Sequence, residues 1–80
     1  MTLTALQYIV AVAQERHFGR AAERVFVTQP ALSLDIKKLE EELGAAIFER
    51  RKNRITLTPL GEQIVQDGLV ALPQVGHRLD

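Results

Sequence analysis

The chain has 80 residues, 46% of them hydrophobic, which allows one small domain with a mostly aliphatic core and excludes a disordered segment. It contains no cysteine, which excludes disulfides and thiolate metal ligands and fits the cytosol, and from its opening residues we expect neither a signal peptide nor a membrane span. The formal net charge is zero, which is a weak argument against a nucleic-acid partner and directs attention to how the charges are distributed.

The first helix is predicted from a repeat of apolar residues. The stripe expected to be buried recurs at spacings of three and four residues: Leu6, Ile9, Val10 and Ala13. Thr4 and Gln7 have the spacing of a capping box. We therefore expect a helix from about Thr4 to Arg16, with Thr4 as its N-cap.

A short second helix is expected from about Arg20 to Val25. The residues before it, His17-Phe18-Gly19, interrupt the apolar repeat of the first helix. We expect His17 to help end the first helix and Gly19 to cap the second, for which glycine is tolerable. Ala21 and Ala22 are small, so another helix can approach this one closely.

The third helix is predicted from about Gln29 to Leu43. Thr28 is a favourable N-cap, Pro30 is tolerated only in a first turn, and Gly44 is typical just after a helix. One face is apolar and expected to be core: Leu32, Ile36, Leu39 and Leu43. The three-residue turn before this helix, 26–28, has the length found in helix-turn-helix motifs.

A basic β-hairpin is predicted after the third helix. Two short extended segments, Ile47–Arg50 and Ile55–Leu57, flank a tip in which Asn53 can adopt a positive φ. Residues 44–58 carry four basic side chains against the single acidic Glu49: Arg50, Arg51, Lys52 and Arg54. Phosphates respond to local charge density even when the net charge is zero. The alternative is a solvated basic loop with no partner.

The last helix begins with Thr58 as N-cap and Pro59 as its first residue, and it is apolar over a wide arc. Its seam alternates by four and three residues, as in a coiled coil: Val65, Leu69, Leu72, Gly76 and Leu79. The arc packs either on its own domain or against the same helix of a second subunit, and its width favours the second. The residues expected to dimerise are Ile64, Val65, Gly68, Leu69 and Leu72. Pro73 lacks an amide donor, so the helix is expected to kink or end there.

These elements predict a mainly α fold: a winged helix-turn-helix with a two-stranded wing, residues 1–58, followed by a C-terminal dimerising linker helix, residues 59–80. In such motifs the second helix of the pair enters the major groove and its first turns reach base edges. Six residues lie at the start of the third helix or on its outer side: Thr28, Gln29, Pro30, Ser33, Leu34 and Lys37. The alternative is an ordinary amphipathic helix, although a solvated face does not need Leu34.

Each of these side chains suits a particular contact with double-stranded DNA. Gln29 can make a two-pronged contact with adenine, and Pro30 and Leu34 can touch a thymine methyl group. Ser33 can contact a base edge or a phosphate, whereas Lys37 suits a phosphate. The backbone amides at the helix N-terminus attract phosphate, and the basic hairpin suits a phosphate strand or a minor groove.

Five motifs, in order over roughly residues 1–66, resemble those of the LysR-type regulators: Phe18-Gly19-Arg20-Ala21-Ala22, Val27-Thr28-Gln29-Pro30-Ala31-Leu32-Ser33, Lys38-Leu39-Glu40-Glu41-Glu42-Leu43-Gly44, Phe48-Glu49-Arg50 and Leu57-Thr58-Pro59-Leu60-Gly61. The resemblance implies a cytoplasmic bacterial transcription factor that binds a two-fold promoter site as a homodimer, with tetramers in the full-length protein. It implies DNA contacts from Thr28, Gln29, Pro30, Ser33, Arg50, Lys52 and Arg54.

The resemblance also implies a larger C-terminal domain that senses a small molecule, so we expect this chain to be a DNA-binding fragment. Three runs, 8–14, 16–18 and 37–43, are similar to the peroxide-sensing OxyR branch, in which a redox signal would be sensed by that other domain. The sequence departs from the family pattern at Leu34, where many members have a basic or polar residue. Asp35 follows it.

Other functions fit less well. The two histidines, His17 and His77, have no partner constellation and no glycine-rich phosphate loop is present, so we expect neither an enzyme nor a cofactor or metal site. A protein-docking module is the stronger alternative, because winged helices are reused for docking. RNA binding lacks surface aromatic residues on which bases could stack.

Overall fold

Helices make up most of the fold, and a small hairpin interrupts their succession. The computed structural model describes residues 2–52 and 54–71. Along the chain the elements are α1 (Leu3–Glu15), α2 (Phe18–Arg24), α3 (Gln29–Leu43), β1 (Phe48–Arg51), β2 (Arg54–Leu57) and α4 (Pro59–Ala71). This order confirms the predicted winged helix-turn-helix, in which α2 and α3 form the motif and the strands form the wing. None of the helices within the described ranges has the length and apolar character needed to span a bilayer.

Helix α1 begins earlier than predicted. Its N-cap is Thr2, whose hydroxyl oxygen accepts the Ala5 N–H at 3.1 Å, so the assignment of this role to Thr4 was wrong. Both threonines resemble caps in sequence, but Thr2 has the extended backbone of a cap, and its carbonyl accepts the Leu6 N–H. The helix ends at Arg16, which adopts a left-handed φ of 53° and donates its N–H to the Val12 carbonyl.

Helix α2 also begins earlier than predicted, because its N-cap is His17 and not Gly19. The Nδ1 atom of His17 accepts the Arg20 N–H at 3.0 Å. His17 therefore starts the second helix, and the prediction that it serves to end the first was wrong. The earlier start includes Phe18 in the first turn, where its ring is buried in the core. Burial of this ring favours the histidine cap over the glycine one.

Helix α3 has the predicted bounds. The hydroxyl oxygen of Thr28 accepts the Ala31 N–H at 3.3 Å, and Gly44 closes the helix in the left-handed conformation at φ 72°. Leu32, Ile36 and Leu39 are buried as predicted. Leu43 is 43% exposed, so its assignment to the core was wrong. It lies in the last turn, and the chain beyond it returns to the core through Ile47.

The wing is a two-stranded antiparallel hairpin whose register pairs Phe48 with Leu57 and Arg51 with Arg54. Its first strand begins one residue later than predicted, and its second begins one residue earlier. At the tip Lys52 adopts a positive φ of 51°. The positive φ predicted for Asn53 lies outside the described residues.

The core joins α1, α2, α3 and the base of the wing. Its largest fully buried side chains are aliphatic, as the sparse aromatic content predicts: Ile9, Val12, Leu32, Ile36 and Ile47. Helix α4 packs against α1, with Ile64 and Val65 half-buried against this core. A methyl group at Gly68 would overlap the Leu6 side chain, so this glycine permits close contact between α4 and α1.

Candidate nucleic-acid interface

The outer side of α3 presents the residues that the sequence singles out for base reading. Thr28, Gln29, Pro30, Leu34 and Lys37 are exposed, and Ser33 is half-buried. Leu34 is 52% exposed, which places an apolar side chain among polar ones on a face turned to solvent. The face therefore combines hydrogen-bonding groups with an apolar contact, the pair of interactions by which base edges are read in the major groove.

The N-terminus of α3 is suited to an anion. The Thr28 side chain caps the helix by accepting the Ala31 N–H, and no acidic side chain lies in the first turn. Nothing in that turn therefore neutralises the partial positive charge that a helix carries at its N-terminus. An incoming phosphate is favoured at this end.

Gln29 lies close to the start of α2. A Cβ atom at Gly19 would stand 3.4 Å from the Oε1 atom of Gln29 and 2.9 Å from the His17 ring. The absence of a side chain at Gly19 therefore leaves room for both the Gln29 amide and the His17 ring. The first residue of α3 thus lies near the α2 N-terminus.

Arg50 is a basic residue of the wing whose side chain rests on an aromatic ring. Its guanidinium lies over the Phe18 ring, 4.1 Å from the centroid, and Phe18 in turn packs edge-to-face on Phe48 at 6.1 Å. The side chain of Arg50 remains exposed. A guanidinium held over a ring still has N–H groups that can reach a phosphate.

The remaining basic residues of the wing lie at its exposed end. Arg51 and Arg54 stand opposite each other in the strand register. Like charges in this arrangement are destabilising unless an anion lies between or beside them. Arg51 also approaches Glu49 at 3.6 Å, but both side chains are largely exposed, so this ion pair is weak. Lys52 extends the positive surface to the tip.

Two residues that hold parts of this surface in place were missed from the sequence. Phe18 was treated as part of a helix break, yet it carries the Arg50 guanidinium. Glu40 was not singled out, yet its carboxylate accepts the N–H groups of Ile47 and Phe48 at the base of the wing. A sequence signal existed only for Glu40, which is an acidic residue near a helix C-terminus, where a negative charge is unfavourable.

The structure describes the side-chain surroundings of some, but not all, of the residues predicted to dimerise. Ile64 and Val65 pack against the domain's own core, and Gly68 is buried against Leu6. The placement of the Leu69 side chain is outside the described part of the structure, as are Leu72 and the later seam positions. The described part of α4 thus uses its apolar stripe within the chain, and pairing with a second subunit stays a prediction.

The sequence matches a known family over most of its length. The profile of the family described as "Bacterial regulatory helix-turn-helix protein, lysR family" matches residues 3–62. The chain is 46% identical over 80 residues to the HTH-type transcriptional regulator AlsR of Bacillus subtilis, which covers 100% of the chain and 26% of AlsR. It is 49% identical over 67 residues to the regulator BudR of Klebsiella aerogenes, covering 84% of the chain and 47% of BudR. The chain thus spans between a quarter and a half of these relatives.

Solved structures share the fold at high similarity. A full-length OxyR variant from Pseudomonas aeruginosa is 61% identical, with a TM-score of 0.81 over 88% of this chain and 24% of that one. The BenM DNA-binding domain in complex with benA site 1 DNA is 40% identical, with a TM-score of 0.82 over 88% of this chain and 79% of that one. A CbnR DNA-binding domain in complex with DNA is 33% identical, with a TM-score of 0.80 over 88% and 80%.

Proposed function

The chain belongs to the LysR family of bacterial regulatory helix-turn-helix proteins, and from this premise we propose that it binds promoter DNA as the reading head of a transcription regulator. Helix α3 lies in the major groove and the basic wing lies on the backbone or in the adjacent minor groove. The similarity to two DNA-binding domains solved with DNA supports this function. Such a regulator acts in the bacterial cytoplasm, where the promoters are.

The observation that carries the proposal is the exposed start of α3, which offers base-reading groups beside a helix N-terminus free of acidic residues. Gln29 pairs with an adenine edge, and Leu34 and Pro30 touch thymine methyl groups. Ser33 and Lys37 contact base edges or phosphates. The site read by this helix therefore contains A·T pairs.

The wing supplies the attraction that does not depend on sequence. Arg50, fixed over Phe18, binds a phosphate through the edges of its guanidinium. Arg51, Lys52 and Arg54 extend this contact along the backbone or into a narrow minor groove, which attracts arginine and lysine. Each phosphate neutralised contributes about 0.9 to the slope of log affinity against log salt.

The larger assembly is part of the same proposal. We assign residues 1–58 to the reading head and residues 59–80 to a linker segment, described as a helix up to Ala71, through which two copies pair on a two-fold DNA site. A tetramer forms in the full-length protein. Because the chain spans 26% of AlsR and 24% of the OxyR variant, a small-molecule or redox effector acts on a part outside these 80 residues.

The chain acts by binding and not by catalysis. Its relatives are regulators by name. Of the two histidines considered as reactive groups, His17 is a helix cap and His77 lies outside the described residues. A protein-docking function is the competing proposal, and it predicts no dependence on the wing charges.

The test is a binding titration of the 80-residue chain on a pool of random duplexes at two salt concentrations, with sequencing of the retained DNA. We expect a two-fold, A/T-containing site to be enriched and binding to weaken steeply with salt. Gln29→Ala should lose the preference at one position of each half-site, whereas Gln14→Ala, the same change on the exposed side of α1, should not. A folded chain that retains no DNA at either salt concentration would favour the docking function.

A further inference from the structure

The last turn of α3 carries charges of the unfavourable sign. Glu40, Glu41 and Glu42 follow one another there, and the turn contains no basic residue. The partial negative charge at a helix C-terminus repels carboxylates, and so does the backbone of any DNA held by the same helix. Neither helix stability nor DNA attraction explains a carboxylate at Glu40.

A tertiary contact does explain it. The Oε2 atom of Glu40 accepts two backbone N–H groups, from Ile47 at 2.7 Å and from Phe48 at 3.2 Å. Ile47 is fully buried and Phe48 is nearly so, and buried backbone amides require acceptors. One side-chain oxygen of Glu40 therefore ties the end of α3 to the start of the wing.

The same peptide segment is also held by residues at the start of α4. The Ile47 carbonyl accepts the Thr58 N–H at 3.0 Å, and the Thr58 hydroxyl donates to the carbonyls of Ala46 at 2.7 Å and Ile47 at 3.1 Å, which share its single proton. A Cβ atom at Gly61 would overlap this carbonyl oxygen, so the first turn of α4 lies directly against it. Ile47 is thus the residue at which the reading helix, the wing and the linker helix meet.

We propose that Glu40 is a positioning residue for DNA binding, which sets the wing relative to α3 so that Arg50 and Gln29 engage the same duplex. The inference rests on the proposed function. Arg50 is two residues beyond Phe48, one of the two amides that Glu40 holds. If this contact is lost, the wing turns about its base, and Arg50 leaves the ring of Phe18 and the phosphate.

Replacing Glu40 and replacing its neighbour Glu41 should have different effects on DNA affinity. Glu41 is exposed on the same turn, so Glu41→Gln removes a negative charge and should leave DNA affinity unchanged or raise it up to about twofold. Glu40→Gln removes the same charge, yet it should lower affinity about fivefold, and Glu40→Ala about tenfold or more. The difference between the two positions isolates positioning from charge.

The experiment is a double-mutant cycle in the 80-residue chain, read as affinity for a fixed duplex over a range of salt concentrations. Arg50→Ala should weaken binding in the wild-type background and have little further effect in Glu40→Ala, because the wing contact is already lost. The slope of log affinity against log salt concentration should fall equally in Arg50→Ala and in Glu40→Ala. Amide hydrogen exchange without DNA should show faster exchange at Ile47 and Phe48 in Glu40→Gln but not in Glu41→Gln.

Each result decides the inference. It is overturned if Glu40→Gln and Glu41→Gln bind DNA equally, or if Arg50→Ala costs as much with Glu40 replaced as without. If Glu40→Ala fails to fold, the double-mutant cycle with Arg50→Ala is measured with Glu40→Gln instead, because glutamine keeps an acceptor oxygen. If the wild-type chain itself does not bind DNA, the proposed function fails, and the hydrogen-exchange result still decides whether Glu40 holds the wing.

Discussion

Replacing Phe18 by leucine should weaken DNA binding without any direct contact between this residue and DNA. The guanidinium of Arg50 lies 4.1 Å from the Phe18 ring centroid, and an exposed cation–π pair contributes about 0.5–1 kcal/mol. In Phe18→Leu the arginine loses this support and must be ordered on the DNA instead. Affinity for a fixed duplex should therefore fall by about two- to fivefold, measured by fluorescence anisotropy.

Phe48→Leu is the matched control for this prediction. Both rings are 6% exposed, and both variants lose the same edge-to-face pair. We expect each to lower the free energy of unfolding by about 1–2 kcal/mol in thermal denaturation. In the Arg50→Ala background, Phe18→Leu should no longer lower DNA affinity. Any effect of Phe48→Leu on DNA affinity should be the same with Arg50 as with alanine at position 50. Equal coupling of both phenylalanines to Arg50, or of neither, would refute the assignment of Phe18 as the support of this arginine.

Three further predictions concern single contacts. Gln29→Ala should lower discrimination at one base pair of each half-site by about 1–3 kcal/mol, and an equal loss on specific and random duplexes would remove Gln29 from base reading. Arg50→Ala should weaken binding to all duplexes and lower the salt slope by about 0.9, a change absent from the exposed control Lys38→Ala; an unaltered slope would exclude a phosphate contact. His17→Ala should destabilise the fold by about 0.5–2 kcal/mol in denaturant unfolding because α2 loses its cap, whereas His17→Asn should restore most of the loss; equal loss in both variants would contradict a capping role.

The parts of the fold predicted well are those with local signals. Helix α3 begins and ends where the sequence indicates, because Thr28 and Gly44 act on backbone groups within their own turns. The start of α2 was misplaced because histidine is an uncommon cap and the choice depends on burying Phe18 against Phe48, 30 residues away in the chain. Leu43 has the helical spacing of its buried neighbours, yet a helical repeat does not show where the body of the domain ends.

For the candidate site, the sequence indicates the exposed surfaces but not the contacts between elements that hold them. Amphipathicity identifies the outer face of α3, and charge density identifies the wing. The contacts of Arg50 with Phe18 and of Glu40 with the wing amides cross between elements, and no spacing rule signals them. The stripe on α4 illustrates the same limit, since an apolar repeat looks alike whether it covers the domain's own core, as Ile64 and Val65 do, or a second subunit.

The most direct test of the DNA-reading surface is an amide chemical-shift titration of the 80-residue chain with a duplex that it enriches from a random pool. We expect the largest shifts over residues 28–37 and 50–54, with a weaker response at the wing base that disappears in Glu40→Ala. Shifts confined to other surfaces, such as the turn around the 93% exposed Phe26, would contradict the placement of α3 in the major groove.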